Sequence, residues 1–364
     1  MVQAAMARRK VRDLFTVVIP LYNKVHTIGD TLNSVLAQSF TYFEVVIVND
    51  GSTDCGAALI DRHFDDPRIR LLDQPHGGVS VARNLGVSVA RHELIAFLDG
   101  DDIWLPGYLE TMSKAIAQFP NAGMYCCAGF TLHPDGSGYA RTSKRHRRVG
   151  EVEFFANPDF YVNSSSAIVR KSQVLLSGGF PIEMTHGEDT VFFAKLALQA
   201  PVVFCPALLT IYRKGIEGQA SENGCHGEGL VIDRSNRIIN HLSKFDLVDR
   251  DSSAVDFLMF DLRQILERLI RDRQDSQIAE FFAEVEPALL RFFTRLERSA
   301  SISSGRRLAA LLYLRIRKLW RRIEFHPSGK YWAELPGLST LDFRSWRTQI
   351  GHGVAPLEEK SFED

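Results

Sequence analysis

The sequence has almost no net charge: 43 Lys and Arg against 44 Asp and Glu leave −1 over 364 residues. That balance gives no global reason to expect a nucleic-acid partner. Cysteine is scarce. There are five, an odd number with Cys126 and Cys127 adjacent, which is no disulfide framework and points to a reducing cytoplasm. No apolar run approaches the roughly 20 residues of a bilayer span; the best, Val202 to Ile211, is short and contains Pro206. Met1 to Asp13 carries Arg8, Arg9, Lys10 and Arg12 with no apolar region behind them, so no secretory signal is expected. Internal repeats and low-complexity segments are missing too. What remains is ordinary globular composition, 45% hydrophobic and 24% charged. The length suits two domains at roughly 150 residues each.

The organising stretch runs from Glu93 to Asp102. The apolar residues Leu94 to Leu98 read as a buried parallel strand, and Asp99, Asp101 and Asp102 cluster about Gly100 at its carboxyl end. Open α/β sheets place ligands at that end. Carboxylates so close repel one another unless a cation or hydroxyl groups share their charge. An isolated DGDD would more simply be a solvated acidic turn; the residues upstream argue otherwise. Phe15 to Ile19, closed by Pro20, is a first strand, followed by the loop Leu21-Tyr22-Asn23. Ile28, Leu32, Val35 and Leu36 mark a helix with one buried face. Phe43 to Val48 is a second strand, and Asn49 to Asp54 supply turn and N-cap residues for a helix beginning near Asp54. Ile69 to Leu72 is a third strand. Gly77-Gly78 open a helix with Val81, Ala82, Leu85 and Val89 on one side. Such alternation predicts an α/β, mostly parallel sheet flanked by helices on both faces.

After Asp102 the alternation loosens. Tyr108 to Phe119 reads as a helix, Gly123 to Leu132 as a strand, and Arg141 to Arg148 as a basic loop containing Lys144 and Arg145. Glu188 and Asp189 follow Gly187 at a helix start, where the dipole favours carboxylates. Val202 to Tyr212 is a closing strand. From about Glu228 the pattern is helical: Leu258, Leu262, Ile265 and Leu269 form a stripe, and Ile278 to Leu296 is a helical stretch broken or kinked at Pro287.

Taken in order, Val18-Ile19-Pro20-Leu21-Tyr22-Asn23, Val46 to Asp54, Gly78 to Gly86, Phe97 to Asp102 and Gly187-Glu188-Asp189 resemble the motifs of family 2 glycosyltransferases. The likeness covers roughly residues 14 to 215, and five motifs in sequence are far more specific than any one. It implies a GT-A fold, a nucleotide-sugar donor (UDP-sugars being commonest), a divalent Mg²⁺ or Mn²⁺, and inversion at the anomeric carbon. The expected division is a glycosyltransferase domain over 14–227, its nucleotide-binding half 14–102 and acceptor half 103–227, then a mainly helical region over 228–364. The resemblance assigns Asp189 as the base for the acceptor hydroxyl, with Glu188 in support. Pro20, Leu21, Tyr22, Asp50, Arg83 and Asp99 become donor-binding residues, and Asp101 with Asp99 the metal ligands of a DxD motif. The chemistry of these side chains agrees: an Arg fork suits a diphosphate, and hard carboxylates suit Mg²⁺ or Mn²⁺. Ser177-Gly178-Gly179-Phe180 is expected to floor the reacting sugar. Asp102 either orients its neighbours or caps the next turn. One departure is the lack of a histidine soon after Tyr212-Arg213; Lys214-Gly215-Ile216 follow instead, leaving Arg213 or Lys214 as alternative cations.

A sugar nucleotidyltransferase would want a glycine-rich basic loop where Pro20-Leu21-Tyr22-Asn23 stand. A non-catalytic carbohydrate-binding or scaffold protein predicts erosion of carboxylates that are all present. The expected role is transfer to a saccharide or lipid-linked acceptor in surface polysaccharide or glycoconjugate synthesis, with no nucleic acid involved. Gly305 to Arg322 carries seven Lys or Arg and no acid, with Leu308, Leu312, Ile316, Leu319 and Ile323 on one face and Trp320 at its edge. Two readings of 305–323 stand level: an interfacial helix holding a cytoplasmic enzyme at the anionic inner face of the membrane, or a helix packed on the catalytic domain.

Overall fold

The β-branched run Phe15–Leu21 becomes β1, and its residues Phe15, Val17, Val18, Ile19 and Leu21 are all fully buried. Each such side chain contributes roughly 1.5–3 kcal/mol of burial free energy, so this strand anchors the sheet. The computed structural model describes residues 14–143, 146–156, 162–216, 228–244, 252–298 and 306–315. The basic N-terminus (Arg8, Arg9, Lys10, Arg12), Lys144, Arg145 and the stretch 316–364 with Ile316, Leu319, Trp320 and Ile323 lie outside the described residues.

The first half follows the predicted alternation. After β1 come α1 (Ile28–Leu36), β2 (Phe43–Asp50), α2 (Gly56–His63), β3 (Ile69–Gln74), α3 (Val79–Val89) and β4 (Leu94–Phe97). Ile28, Leu32 and Val35 of α1 are fully buried, as their spacing requires. Ala82, Leu85 and Val89 of α3 cover Val46 and Val48. This helix crosses β1 at Gly86, where a Cβ would lie 2.4 Å from Val18 Cγ1; only glycine permits that approach. Strands β3, β2, β1 and β4 pair in parallel in that order, so their carboxyl ends share one edge.

The second half is mixed rather than parallel. It comprises β5 (Ile103–Trp104), α4 (Tyr108–Gln118), β6 (Met124–Leu132), β7 (Gly138–Arg141), β8 (Gly150–Val152), a 3₁₀ turn Ser164–Ser166, β9 (Ala167–Arg170), α5 (Lys171–Ser177), α6 (Glu188–Ala197) and β10 (Val202–Arg213). Strand β9 inserts between β4 and β6 and runs antiparallel to both. Strand β10 runs parallel to β6 and antiparallel to β5. The mostly parallel sheet expected from the sequence is present: pairing is parallel up to β4, and β9 is an antiparallel insertion preceded by the turn that carries Ser165.

Helices α7 (Glu228–Lys244), α8 (Ser252–Arg271) and α9 (Asp275–Glu284) form the C-terminal part. The α8 stripe Leu258, Leu262, Ile265 and Leu269 is buried, and Pro287 opens a separate turn, Pro287–Leu290. The core runs on across residue 228. Val191 and Ala194 of α6 join Phe155, Met184, Ile238, Leu242 and Leu262 in one cluster, while Phe192, Phe193 and Leu196 of the same helix face the sheet. A last described helix over 306–315 docks through Ala310 and Leu314, with Arg307 on Asp275 (2.8 Å). Its Leu308 and Leu312 are 70% and 60% exposed.

Candidate active site

Three parallel strand ends and the start of α6 meet around a cavity of about 340 Å³. All nine residues assigned from the sequence line it: Pro20 and Leu21 at the end of β1 with Tyr22 just beyond, Asp50 closing β2, Arg83 on α3, Asp99 and Asp101 after β4, and Glu188 and Asp189 on α6. Lys24, His76 and Tyr212 line it as well. Nothing in the local sequence pattern singled out Lys24 or His76, and Tyr212 stood out only as part of the Tyr212-Arg213 pair.

The carboxylate turn is held from three directions. Thr27 Oγ1 and Thr31 Oγ1, on α1 and its N-cap, donate to the Gly100 carbonyl (2.9 and 3.1 Å), and Thr31 Oγ1 also reaches the Asp102 carbonyl (2.9 Å). Arg213 Nε donates to the Asp101 carbonyl (2.5 Å), and its Nη1 pairs with Asp30 (3.1 Å). Arg213 is thus a brace for the turn and for α1. Ser165 accepts the Asp99 N–H (3.1 Å) and donates to Asp102 Oδ2 (2.5 Å), while the Arg213 N–H donates to Asp102 Oδ1 (3.2 Å). Asp102 is fully buried beneath the cavity. Burial, with the Asp101 and Asp99 charges beside it, pushes its carboxyl well above the usual range. Its hydrogen bonds tie the turn to Ser165 and to the end of β10.

Arg83 is buried and bridges the two sides of the cavity. Its Nη2 donates to Asp99 Oδ1 (2.6 Å) and its Nη1 to Glu188 Oε1 (2.9 Å). Burial alone would lower the guanidinium pKa, but the Asp99 and Glu188 carboxylates outweigh it and raise it. Beneath it lies Phe180, 5.1 Å from the guanidinium to the ring centroid, stacked on Phe192 at 3.8 Å. Asn84 fixes Phe180 by exchanging two hydrogen bonds with its backbone, both 2.9 Å. The Gly-Gly-Phe segment therefore floors Arg83. Gly187 enters α6 in the left-handed region (φ 72°), which turns Glu188 and Asp189 toward the cavity. Asp189 Oδ1 accepts the Thr190 N–H (2.6 Å), leaving Oδ2 without a partner among the described residues. Burial and the Glu188 charge lift the Asp189 carboxyl to about 6, against the opposing pull of Arg83 and the Thr190 N–H. A carboxylate tuned toward neutral pH and with one open oxygen can accept a proton there.

Asp50 lines the cavity with its carboxylate already engaged by the protein. Its oxygens already accept from Gln74 Nε2 (2.6 Å) and the Gly77 and Gly78 N–H groups (2.8 and 2.9 Å), and His76 Nδ1 lies 2.9 Å from Oδ2. It shapes the wall formed by 74–78. His76 in turn stacks on Tyr22, ring centroids 4.2 Å apart and 22° from parallel. Tyr22 is 42% exposed, so an aromatic platform stands at the mouth.

Asp99 and Asp101 fit a divalent cation. Each has one oxygen engaged by a cationic side chain, Arg83 and Lys24 respectively, and a second oxygen with no partner among the described residues. No group of three or more His, Cys, Asp or Glu able to hold a metal occurs among the described residues. The protein side of such a site is then two hard carboxylates, the usual share for Mg²⁺ completed by phosphate oxygens and water.

Comparison with known proteins gives a consistent picture. The description of glycosyl transferase family 2 matches residues 16–172. Uncharacterized protein MT1568 of Mycobacterium tuberculosis (strain CDC 1551 / Oshkosh) is 30% identical over 216 residues, 56% of this chain and 67% of that protein. The uncharacterized glycosyltransferase YibD of Escherichia coli (strain K12) is 40% identical over 98 residues, 27% of this chain and 28% of YibD. Among solved structures, S. aureus TarS 1-349 in complex with UDP-GlcNAc superposes with a TM-score of 0.61 at 19% identity, over 85% of this chain and 92% of that one. At that identity the likeness speaks for the fold.

Proposed function

The chain belongs to glycosyl transferase family 2, and on that footing we propose that it moves a sugar from a nucleoside-diphosphate donor to an acceptor hydroxyl with inversion. The observation that carries this reading is the placement of Asp189. It lines the same cavity as Asp99 and Asp101, has an open oxygen, and is tied to them through the Glu188–Arg83–Asp99 bridge. In the proposed reaction Asp189 Oδ2 takes the acceptor proton as the new C–O bond forms and the bond to the diphosphate breaks. Glu188 and Arg83 hold the spacing between that base and the donor side. A divalent ion bound at Asp99 and Asp101 would supply Lewis-acid neutralisation of the departing diphosphate. Tyr22 offers its ring to the base by stacking, and the wall behind Asp50 sets the depth of that pocket. A UDP-sugar is the donor we favour, because TarS, which shares the fold, was solved with UDP-GlcNAc.

The acceptor we propose is a saccharide or lipid-linked hydroxyl in surface polysaccharide or glycoconjugate synthesis. Exposed Leu308 and Leu312, in a stretch rich in Lys and Arg, support contact with an anionic membrane surface. No helix among the described residues is long and apolar enough to cross a membrane.

The test is a panel of nucleotide sugars incubated with the protein and Mn²⁺, reading release of free nucleoside diphosphate. Release from one donor, lost in EDTA and in Asp101→Ala, is expected. Failure of every donor either to turn over or to raise the melting temperature would sink the reading.

A further inference from the structure

Lys24 was not among the residues the sequence singled out, yet its ammonium is the cation paired with the Asp101 carboxylate among the described residues. Its backbone is fixed: the Lys24 carbonyl accepts the N–H groups of Thr27 and Ile28 (3.0 and 2.9 Å), opening α1. Before it, Asn23 sits in the left-handed region (φ 50°) and is bonded to Ser52, Thr53 and Asp54. From there the stem crosses Gly100, where a Cβ would lie 3.6 Å from Lys24 Cγ and 3.2 Å from the Pro20 carbonyl. The ammonium ends 2.8 Å from Asp101 Oδ2, with side-chain exposures of 12% and 10%. This is no loose surface pair of the kind that contributes little.

Resting on the reading of Asp99 and Asp101 as metal ligands, we propose that Lys24 and the divalent cation are alternative partners of Asp101. The metal and the nucleotide diphosphate then bind well only together. The argument is one of charge. Asp99, Asp101, Glu188 and Asp189 share two cationic side chains, and Arg83 is committed to Asp99 and Glu188. A doubly charged ion placed on Asp101 beside the ammonium meets strong repulsion in a site so poorly screened. That repulsion is relieved when an anion takes the ammonium, and a diphosphate between the two is such an anion. Lysine suits this exchange as a point charge on a flexible stem, where the locked fork of Arg83 does not. Lys24 thereby becomes a positioning residue that keeps the carboxylate turn neutralised between turnovers and moves to the leaving group when the donor arrives.

Mn²⁺ binding followed by electron paramagnetic resonance tests this without any turnover. Wild type should bind Mn²⁺ weakly alone and much more tightly with UDP. Lys24→Met, which keeps the stem, should take Mn²⁺ alone about tenfold or more tightly and gain less from UDP; Lys24→Arg, which keeps the charge, should leave Mn²⁺ binding alone as weak as in wild type. If Lys24→Met binds Mn²⁺ alone no better than wild type, the exchange is overturned and Lys24 merely orients Asp101. Asp101→Ala separates the two ideas. Mn²⁺ binding that survives in Asp101→Ala overturns the metal assignment itself, whereas loss in that variant with an unchanged Lys24→Met overturns only the role of Lys24.

Discussion

Replacing Asp189 by Asn should make the protein more stable and nearly inactive at once. Burial and the Glu188 charge move this carboxyl from its ordinary 3.8 to about 6. The folded state therefore binds the proton more tightly than the unfolded chain does. Stability from this group is complete below about pH 4 and is lost as the pH rises through about 6. Keeping the carboxylate ionised at pH 7.5 costs about 1–3 kcal/mol, at roughly 1.4 kcal/mol per tenfold change in proton affinity. Asn removes that cost while its Oδ1 still accepts the Thr190 N–H, 2.6 Å away in the wild type. At about 1–2 °C per kcal/mol for a chain of this size, the variant should melt roughly 1–4 °C higher at pH 7.5. The two curves should converge by pH 4. Turnover should fall about 10²- to 10⁴-fold, as for loss of a general base, with nucleotide affinity little changed. Thermal melts of both proteins across pH 4 to 8, without ligand, measure this. Equal melting temperatures at pH 7.5, or a gap that persists at pH 4, would refute the argument that the site strains this carboxylate.

The wild-type kcat/KM should rise with pH to a plateau above about 6, the value of the Asp189 carboxyl. Arg83→Met removes a charge that lowers that value, so residual activity should show its acid limb at higher pH; an unmoved limb would separate Arg83 from the base. Ser165→Ala strips the hydroxyl donor from buried Asp102, and should lower stability by about 1–3 kcal/mol in a denaturant titration; no loss would mean Asp102 needs no such partner. Leu308 and Leu312 changed together to Ser should abolish sedimentation with anionic liposomes at low salt without lowering the melting temperature, since both are exposed. A wild type that never sediments removes the membrane from the account.

Much of the nucleotide-binding half could be read from the sequence because its information is local. Each of β1, β2 and β4 is a short apolar run that ends in the residues it delivers, so Pro20, Asp50 and Asp99 follow from the strand before them. The acceptor half was less legible. Strand β9 pairs with β4 and β6 across long sequence separations, and no periodicity reports an antiparallel neighbour. Asp99, Asp101 and Asp102 look equivalent as letters. What distinguishes Asp102, the fully buried one, is Ser165, 63 residues away. Asp50 follows from its strand, but its bonds to Gln74, Gly77 and Gly78 do not, since they depend on how the Gln74–Gly78 segment folds back over it. Lys24 and His76 read as loop residues because their partners, Asp101 and Tyr22, come close only in the folded chain.

The position of α6, with the sheet on one side and the C-terminal helices on the other, bears on how such enzymes can be recombined. Val191 and Ala194 turn away from the sheet into the cluster built by Ile238, Leu242 and Leu262. Anyone grafting the helical part of a relative onto residues 14–216 to alter acceptor choice must transplant a complementary apolar surface as well. Otherwise the graft leaves the back of the helix that carries Glu188 and Asp189 wet, and the error appears first as a misplaced base rather than as an unfolded protein. Screening such hybrids by solubility would pass many that fail; the pH at which residual activity sets in is the more discriminating readout.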